Sequence, residues 1–570
     1  MAEESYRNRP DWDLRPWLLA GLGAVAGLII HFILGDGPFY SNPPGALKTA
    51  SVAFVGSLAV LIAFTLERER WQWSVIFSFV AALAIGLILY WNGAPDQWSG
   101  GDGWRVVCIF LSVAIAAPLF QAARDQGARR FPYVDVHDHA LTNVVIWCAG
   151  WAFVGIVFLL TLLLSELFAL IKITLIKDLL DENWFIRVLM GASFGAAIGI
   201  LREQDRIVRV LQRVIVAVLS VLAPVLGAGL LLFLLSLPFT GLSALWDATK
   251  ATTPILLSCV IGAVILANAV IGNGEEQESR FPPLRYGAMA LGLAMLPLAV
   301  IAAISTGLRI GQYGFTPDRL WALVFVIVAC AFGLAYLVSL VRGRHSWATY
   351  LRPANLNLAF GLCALALFLA LPILSFNAIS TRDQVARLES GKIMPEKFDW
   401  AALRYDFGEP GKAAVDRLAR SQTLAIAKAA KTALATENRW DLAERQTNAV
   451  RAERVRRTIR VVPEQVGLPE GLIESLNLSA NDEASYALSY RRGERSAVLI
   501  GQNCRDCPLN VQVARLDEKG VWTSNRDGVL AVEHVEKVKP GAPLSASIEV
   551  REVKRRQAFL DGKPVGDVFE

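Results

Sequence analysis

The chain has 570 residues, 54% of them hydrophobic and 19% charged, with a mean hydropathy of +0.42. A soluble domain averages about 45–50% apolar and about 25% charged residues, which excludes an ordinary soluble protein along the whole length. The polarity is split: residues 378–570 hold 31 Lys+Arg and 28 Asp+Glu, and that near balance argues against a nucleic-acid partner.

The opening "MAEESYRNRPDWDLRP" is polar and mixed in sign. No A-x-A-like site follows the first apolar run, Trp17 to Leu34, so a retained first helix is expected rather than a cleaved signal peptide. A membrane span needs about 20 mainly apolar residues. By that rule spans are expected near 16–34, 46–66, 73–92, 104–121, 142–165, 183–201, 214–238, 253–273, 285–306, 317–341 and 355–377, about eleven in all. The connections on one side carry 17 Lys or Arg, among them Arg15, Arg124, Arg202 and Arg352. The other side carries seven: Lys48, Arg105, Lys172, Lys177, Lys250, Arg309 and Arg319. The positive-inside rule then predicts a cytoplasmic N-terminus and, after an odd number of spans, a periplasmic tail.

Several polar features stand out in chain order. "GLGAVAG" (21–27) lies inside a span, where its glycines favour close helix packing over phosphate binding. Asp135-Val136-His137-Asp138-His139 precedes the fifth span. His137 and His139 are candidate zinc or manganese ligands. Residues i and i+2 do not share a helix face, so the favoured expectation is that Asp138 caps the helix and both imidazoles meet headgroups. Glu166 and Arg187 are ionisable within or beside spans and are functional candidates for that reason. Glu166 either pairs with a basic neighbour or serves as a coupling carboxylate. His31 lies near the end of the first span. Asn268 is expected to bond across helices, and Pro297 and Pro372 to kink theirs. Arg202, Arg206, Arg209 and Arg213 recur at helical spacing, which predicts one amphipathic helix meeting anionic lipid; an acidic cytosolic partner is the alternative.

Arg309 to Trp321, "RIGQYGFTPDRLW", is a polar insert between two apolar runs. Its glycines suit a turn, Thr316 an N-cap, Pro317 the first helical position, and Tyr313 the interfacial belt. Arg309 and Arg319 stand against the charge bias and require a partner: Asp318, Glu166, lipid phosphate or the tail. Arg309, Gln312, Tyr313, Thr316 and Arg319 are therefore the candidate binding residues for an anion or for the tail.

The tail changes texture along its length. Residues 378–458 are rich in helix formers, with Ala414, Val415, Leu418 and Ala419 on one face. Residues 459–570 read as a small β-rich module of short strands with turn signals at 517–520 and 561–563. Cys504 and Cys507, in "NCRDCP", are expected to close a disulfide in an oxidising compartment; a redox-active pair is the alternative. No phosphate-binding, nucleophile-elbow or zinc-protease motif appears in the sequence, and no cofactor is implied.

"LRIGQYGFTPDRLWAL" resembles the signature of a bacterial family of multi-span membrane proteins, domain of unknown function 4153. Residues 160–173, 184–202 and 398–419 are similar to its core as well. The resemblance implies a membrane location and no established activity, so no catalytic residue carries over. It marks Arg309, Gln312, Tyr313, Gly314, Thr316 and Arg319 as the distinguishing residues. The expected protein has an all-α polytopic membrane domain (1–377) and a soluble α+β tail. It is read as a non-enzymatic inner-membrane protein presenting that tail to an envelope partner. A permease, or an enzyme acting on lipid-linked substrates, is the alternative.

Overall fold

The computed structural model describes residues 12–36, 44–127, 130–248, 251–444, 455–456, 459–462, 467–469, 471–476, 478–479, 484–502, 509–517, 520–524, 556–560 and 563–569. The chain falls into two compact units: residues 1–386 with 406–412, and residues 387–405 with 413–570.

The first unit is helical: α1 (Arg15–Leu34), α2 (Ala46–Thr65), α3 (Trp71–Asn92), α4 (Gly100–Gln126), α5 (Tyr133–Leu170), α6 (Leu175–Asp181), α7 (Asn183–Glu203), α8 (Asp205–Ala248, interrupted at Gly241), α9 (Thr252–Ile271), α10 (Pro282–Tyr313), α11 (Pro317–Gly343), α12 (Trp347–Ala370) and the start of α13 (Phe376–Glu389). Ten helical stretches among the described residues are long and apolar enough to cross a bilayer. The last of them, Pro317–Ala370, has 54 residues. As one rod it would measure about 80 Å against a hydrocarbon core of about 30 Å. It is instead two helices, α11 and α12, joined by a 3-10 turn where Arg344 takes a φ of 46°. With that stretch divided, the described residues hold eleven long apolar helices, against about eleven expected.

The closest helix pair is α1 against α7, running antiparallel. A Cβ built on Gly23 would lie 1.9 Å from the carbonyl oxygen of Gly191, and one on Gly195 would lie 2.0 Å from that of Leu19. A Cβ on Gly27 would lie 2.3 Å from the carbonyl oxygen of Arg187, and one on Gly199 would lie 2.4 Å from the Cα of Pro16. Lipid tails are as apolar as leucine, so helices in a bilayer associate by close packing, which small residues permit. Of the glycines foreseen in 21–27, Gly23 and Gly27 serve that purpose; a Cβ on Gly21 would meet nothing within 4 Å.

Three expectations need correction. Helix α5 begins at Tyr133, so Asp138 lies inside it and caps nothing; its Oδ1 accepts from Asn273 Nδ2 at 2.7 Å. The arginine row is broken at Gln204: Arg202 ends α7, while Arg206, Arg209 and Arg213 begin α8. Pro372 lies beyond the end of α12, terminating it rather than kinking it.

The second unit contains α15 (Leu424–Ala435), following α14 (Gly408–Leu418), and then a five-stranded sheet in the order β1-β2-β3-β4-β5. These strands are Arg460–Val462, Ser485–Ser489, Ser496–Gln502, Leu509–Leu516 and Trp522–Ser524; β1 pairs with β2 in parallel and the rest are antiparallel. Leu488, Leu499, Ala514 and Trp522 pack with Leu472, Ile473 and Leu476. Of the turn expected at 517–520, residues 518 and 519 lie outside the described residues; at its ends Asp517 donates its amide to Val521 O and Gly520 donates to Asp517 O. A separate hairpin pairs β6 (Arg556–Leu560) with β7 (Lys563–Phe569). Cys504 and Cys507 lie outside the described residues.

The glycine seam predicts a specific sensitivity. Gly195→Ala should lower the melting temperature in detergent, since overpacking costs about 1–3 kcal/mol. Gly361→Ala on α12 should be neutral or slightly stabilising, because nothing lies within 4 Å of the added methyl group. Equal melting temperatures for the two variants would mean that α1 and α7 are not in tight contact.

Candidate functional site

A helix ends with up to four backbone carbonyls lacking intrahelical partners, and its C-terminus carries partial negative charge. In this unit arginines fill that role repeatedly. Arg202 Nη1 donates to Ala63 O at 2.6 Å, and Arg124 Nη1 donates to Thr65 O, both at the end of α2. Arg352 Nη2 donates to Ile271 O at the end of α9, 2.8 Å away. Arg70 Nη1 donates to Arg124 O near the end of α4.

Carboxylates balance these cations. Glu67 accepts from Arg15 at 2.6 Å and also from Arg202. Glu278 pairs with Arg352 at 2.9 Å, and Asp125 with Arg124 at 2.7 Å. His139 Nε2 lies 3.2 Å from Asp125 Oδ2, and His137 Nδ1 lies 3.4 Å from the Tyr133 hydroxyl. The two imidazoles thus serve different neighbours. Among the described residues, no three His, Cys, Asp or Glu side chains gather to hold a metal. Asn268 bonds across helices as foreseen, donating to Tyr336 Oη at 2.7 Å and accepting from Asn355 at 2.8 Å.

The same grammar explains two candidates on the opposite ends of the helices. Arg187 Nη1 donates to Gly35 O, the C-cap of α1, at 3.0 Å and contacts His31 Nδ1 at 3.1 Å. Arg319 Nη1 donates to Gly314 O, the C-cap of α10, at 2.8 Å, and its guanidinium lies over the Tyr313 ring at 5.4 Å. A backbone carbonyl therefore joins the partners considered for Arg319. Arg309 and Gln312 are exposed on the last turns of α10, as is Tyr313. Glu166 is exposed on α5, about 50 Å along the helix from Tyr133. No ion pair of Glu166 occurs among the described residues.

The insert Gly314–Arg319 is a joint. Gly314 ends α10 at φ 77°, and Thr316 caps α11 by accepting from the Arg319 amide at 3.3 Å. The start of α13 clamps this turn: Asp383 Oδ2 accepts from Phe315 N at 2.8 Å. Gln384 Nε2 donates to the carbonyls of Tyr313 and Phe315, both at 2.9 Å.

Asn377, Ser380, Thr381 and Gln384 fall at i, i+3, i+4 and i+7, one face of α13, and all four are buried. A buried helix stripe is normally apolar; this one is polar from Asn377 to Gln384 and apolar only after it, at Val385 and Leu388. Asn377 Nδ2 donates to Ser99 Oγ at 2.9 Å, and Ser99 Oγ donates to Asp102 Oδ2 at 2.7 Å. Gly101 has no side chain to obstruct Asn377; a Cβ there would lie 2.9 Å from Asn377 Oδ1. Asn377 Oδ1, Ser380 Oγ, Thr381 Oγ1 and Trp321 Nε1 are buried without a hydrogen-bond partner. Native proteins keep few such groups, so four around one helix mark a place that receives water or a ligand. The sequence reading missed this face. Its only signal was the polar spacing in "NAISTRDQ", which looks the same as a solvated helix surface.

Together the apolar helices and the sheet define a multi-pass membrane protein with a C-terminal mixed-sheet module. The profile of the family described as "Domain of unknown function (DUF4153)" matches residues 47–418, and the chain belongs to that family. No curated protein and no solved structure gives a significant match.

The clamp gives a direct test. Gln384→Leu leaves two carbonyls unpaired and should cost about 1–3 kcal/mol per buried group, read as a lower melting temperature. Asp383→Asn should cost less, because an amide oxygen still accepts from Phe315 N.

Proposed function

We propose that this protein is a non-enzymatic inner-membrane anchor that presents its tail to the periplasm, where the tail engages an envelope partner. The observation that carries the reading is the clamp on α13. Residues of the family's signature turn hold, through Asp383 and Gln384, the helix that leads into the tail. A signature used to fasten an exit helix suits an anchor.

The orientation rests on the arginine bias. The end of the bundle carrying Arg15, Arg124, Arg202 and Arg352 is assigned to the cytoplasm. Exposed Arg206, Arg209 and Arg213 would meet anionic lipid there. In the periplasm Cys504 and Cys507 would close a disulfide. The permease reading drew on Glu166, whose exposure on α5 suits a headgroup-level residue better than a coupling carboxylate.

An alkaline phosphatase fusion after Glu570 should be active, and a maleimide reagent should label Cys504 and Cys507 only after reduction. An inactive fusion with freely labelled thiols would put the tail in the cytoplasm. Photo-crosslinkers at exposed Trp440 and Val521 should capture a specific envelope protein in cells. Adducts with no recurring partner at either position would remove the presentation reading.

A further inference from the structure

The turn between α11 and α12 is strained. Arg344 holds φ 46° and ψ −114°, the geometry of the first central residue of a type II′ turn, where glycine is strongly favoured. A larger residue in such a conformation costs stability and persists only where its surroundings fix it. Here they do. Arg285 Nη2, at the start of α10, donates to His345 O at 2.7 Å, and Glu278 lies 3.7 Å from Arg285. The turn so held carries two exposed guanidinium groups, Arg342 and Arg344. Among the described residues neither side chain has a hydrogen bond or an ion pair. Glu278 is already shared between Arg285 and Arg352, and the exposed Glu275 and Glu276 pair with neither arginine. The arginines that cap helix ends elsewhere each hold a carbonyl; these two hold none.

We propose that this turn binds the phosphate of an anionic phospholipid, at a site separate from the arginines that begin α8. Two guanidinium groups without partners bring the charge and the donors that suit a phosphate diester. Tyr286, beside Arg285, and Tyr350, against whose ring a Cβ on Gly343 would come within 2.8 Å, are both exposed. Such aromatic groups belong at headgroup level. Next to the turn, Ile327, Leu334, Val338 and Val341 are exposed at helical spacing on α11. They lead from Arg342 into the apolar span and give an acyl chain a track. A free phosphate would use the arginines alone; a lipid uses the arginines, the tyrosines and the apolar face together. Glycine at position 344 would make the more stable turn, whereas arginine there offers the membrane a cation at a fixed place.

The full-length protein in phosphatidylcholine vesicles, with a trace of photoactivatable phosphatidylglycerol, tests this when adducts are mapped to peptides. Wild type should give adducts within residues 334–350 that unlabelled phosphatidylglycerol displaces, and a matching phosphatidylcholine probe should not. Arg344→Gly should lower those adducts about fivefold, the effect of one arginine near an anionic surface. Its melting temperature should stay level or rise, because the strain is relieved. Arg342→Gln, outside the strained position, should lower the adducts about as much. Adducts around Arg206–Arg213 should not change in either variant. Adduct yields equal to wild type in both folded variants overturn the proposal, and so does equal labelling by the phosphatidylcholine probe. Soluble glycerol phosphate displacing the probe as well as the lipid does overturns the lipid source in favour of a free-anion site.

Discussion

The constraint on which this membrane unit depends is the backbone carbonyl at the end of a helix. Within hydrocarbon every carbonyl must find an internal donor, and at the edge of the bilayer the last turn loses its own. Here guanidinium groups supply the donors. Arg124 and Arg202 close α2, Arg352 closes α9, Arg187 closes α1 and Arg319 closes α10. Arginine suits the task because it brings several donors and a permanent charge, so one group can hold a carbonyl and a carboxylate together. Arg202 does so with Ala63 and Glu67, and Arg352 with Ile271 and Glu278.

These caps work only if helices stop at matching levels, and the glycine seam helps to set them. With Gly23 against Gly191 and Leu19 against Gly195, α1 and α7 are locked in antiparallel register. That register brings Arg15 to within 3.2 Å of Glu203 at one end and His31 to Arg187 at the other. Glu67, from the end of the α2–α3 hairpin, then completes the first cluster. The charges are nearly compensated within it, which is how ionised groups are kept out of water without a large penalty.

The seat under α13 is built from neutral polar side chains instead of charged ones. Its polar groups are as buried as the capping arginines, and Asn377, Ser380, Thr381 and Trp321 each retain an unused donor or acceptor, as do Arg15, Glu203 and Arg352 in the capping clusters. A structural joint would be more stable with apolar residues on that face. The family match ends at residue 418 and so includes this helix and the turn it clamps.

What the sequence determined by itself follows from short-range physics. Span positions were legible because an apolar run of bilayer length has few alternatives. The helix start at Thr316-Pro317 was legible because caps are local chemistry. The close packing of Gly23 and Gly27 was expected from their place inside a span. The roles of Arg187 and Arg319 were open, because a partner carbonyl leaves no mark in residue type. Arg202 was misassigned to a lipid-facing row because spacing alone does not reveal the break at Gln204. The polar face of α13 was invisible, since Asn377, Ser380, Thr381 and Gln384 have the same pattern whether water or a neighbouring helix covers them. Only the tertiary structure decided that, because burial belongs to the packing of distant segments and not to the residues that become buried.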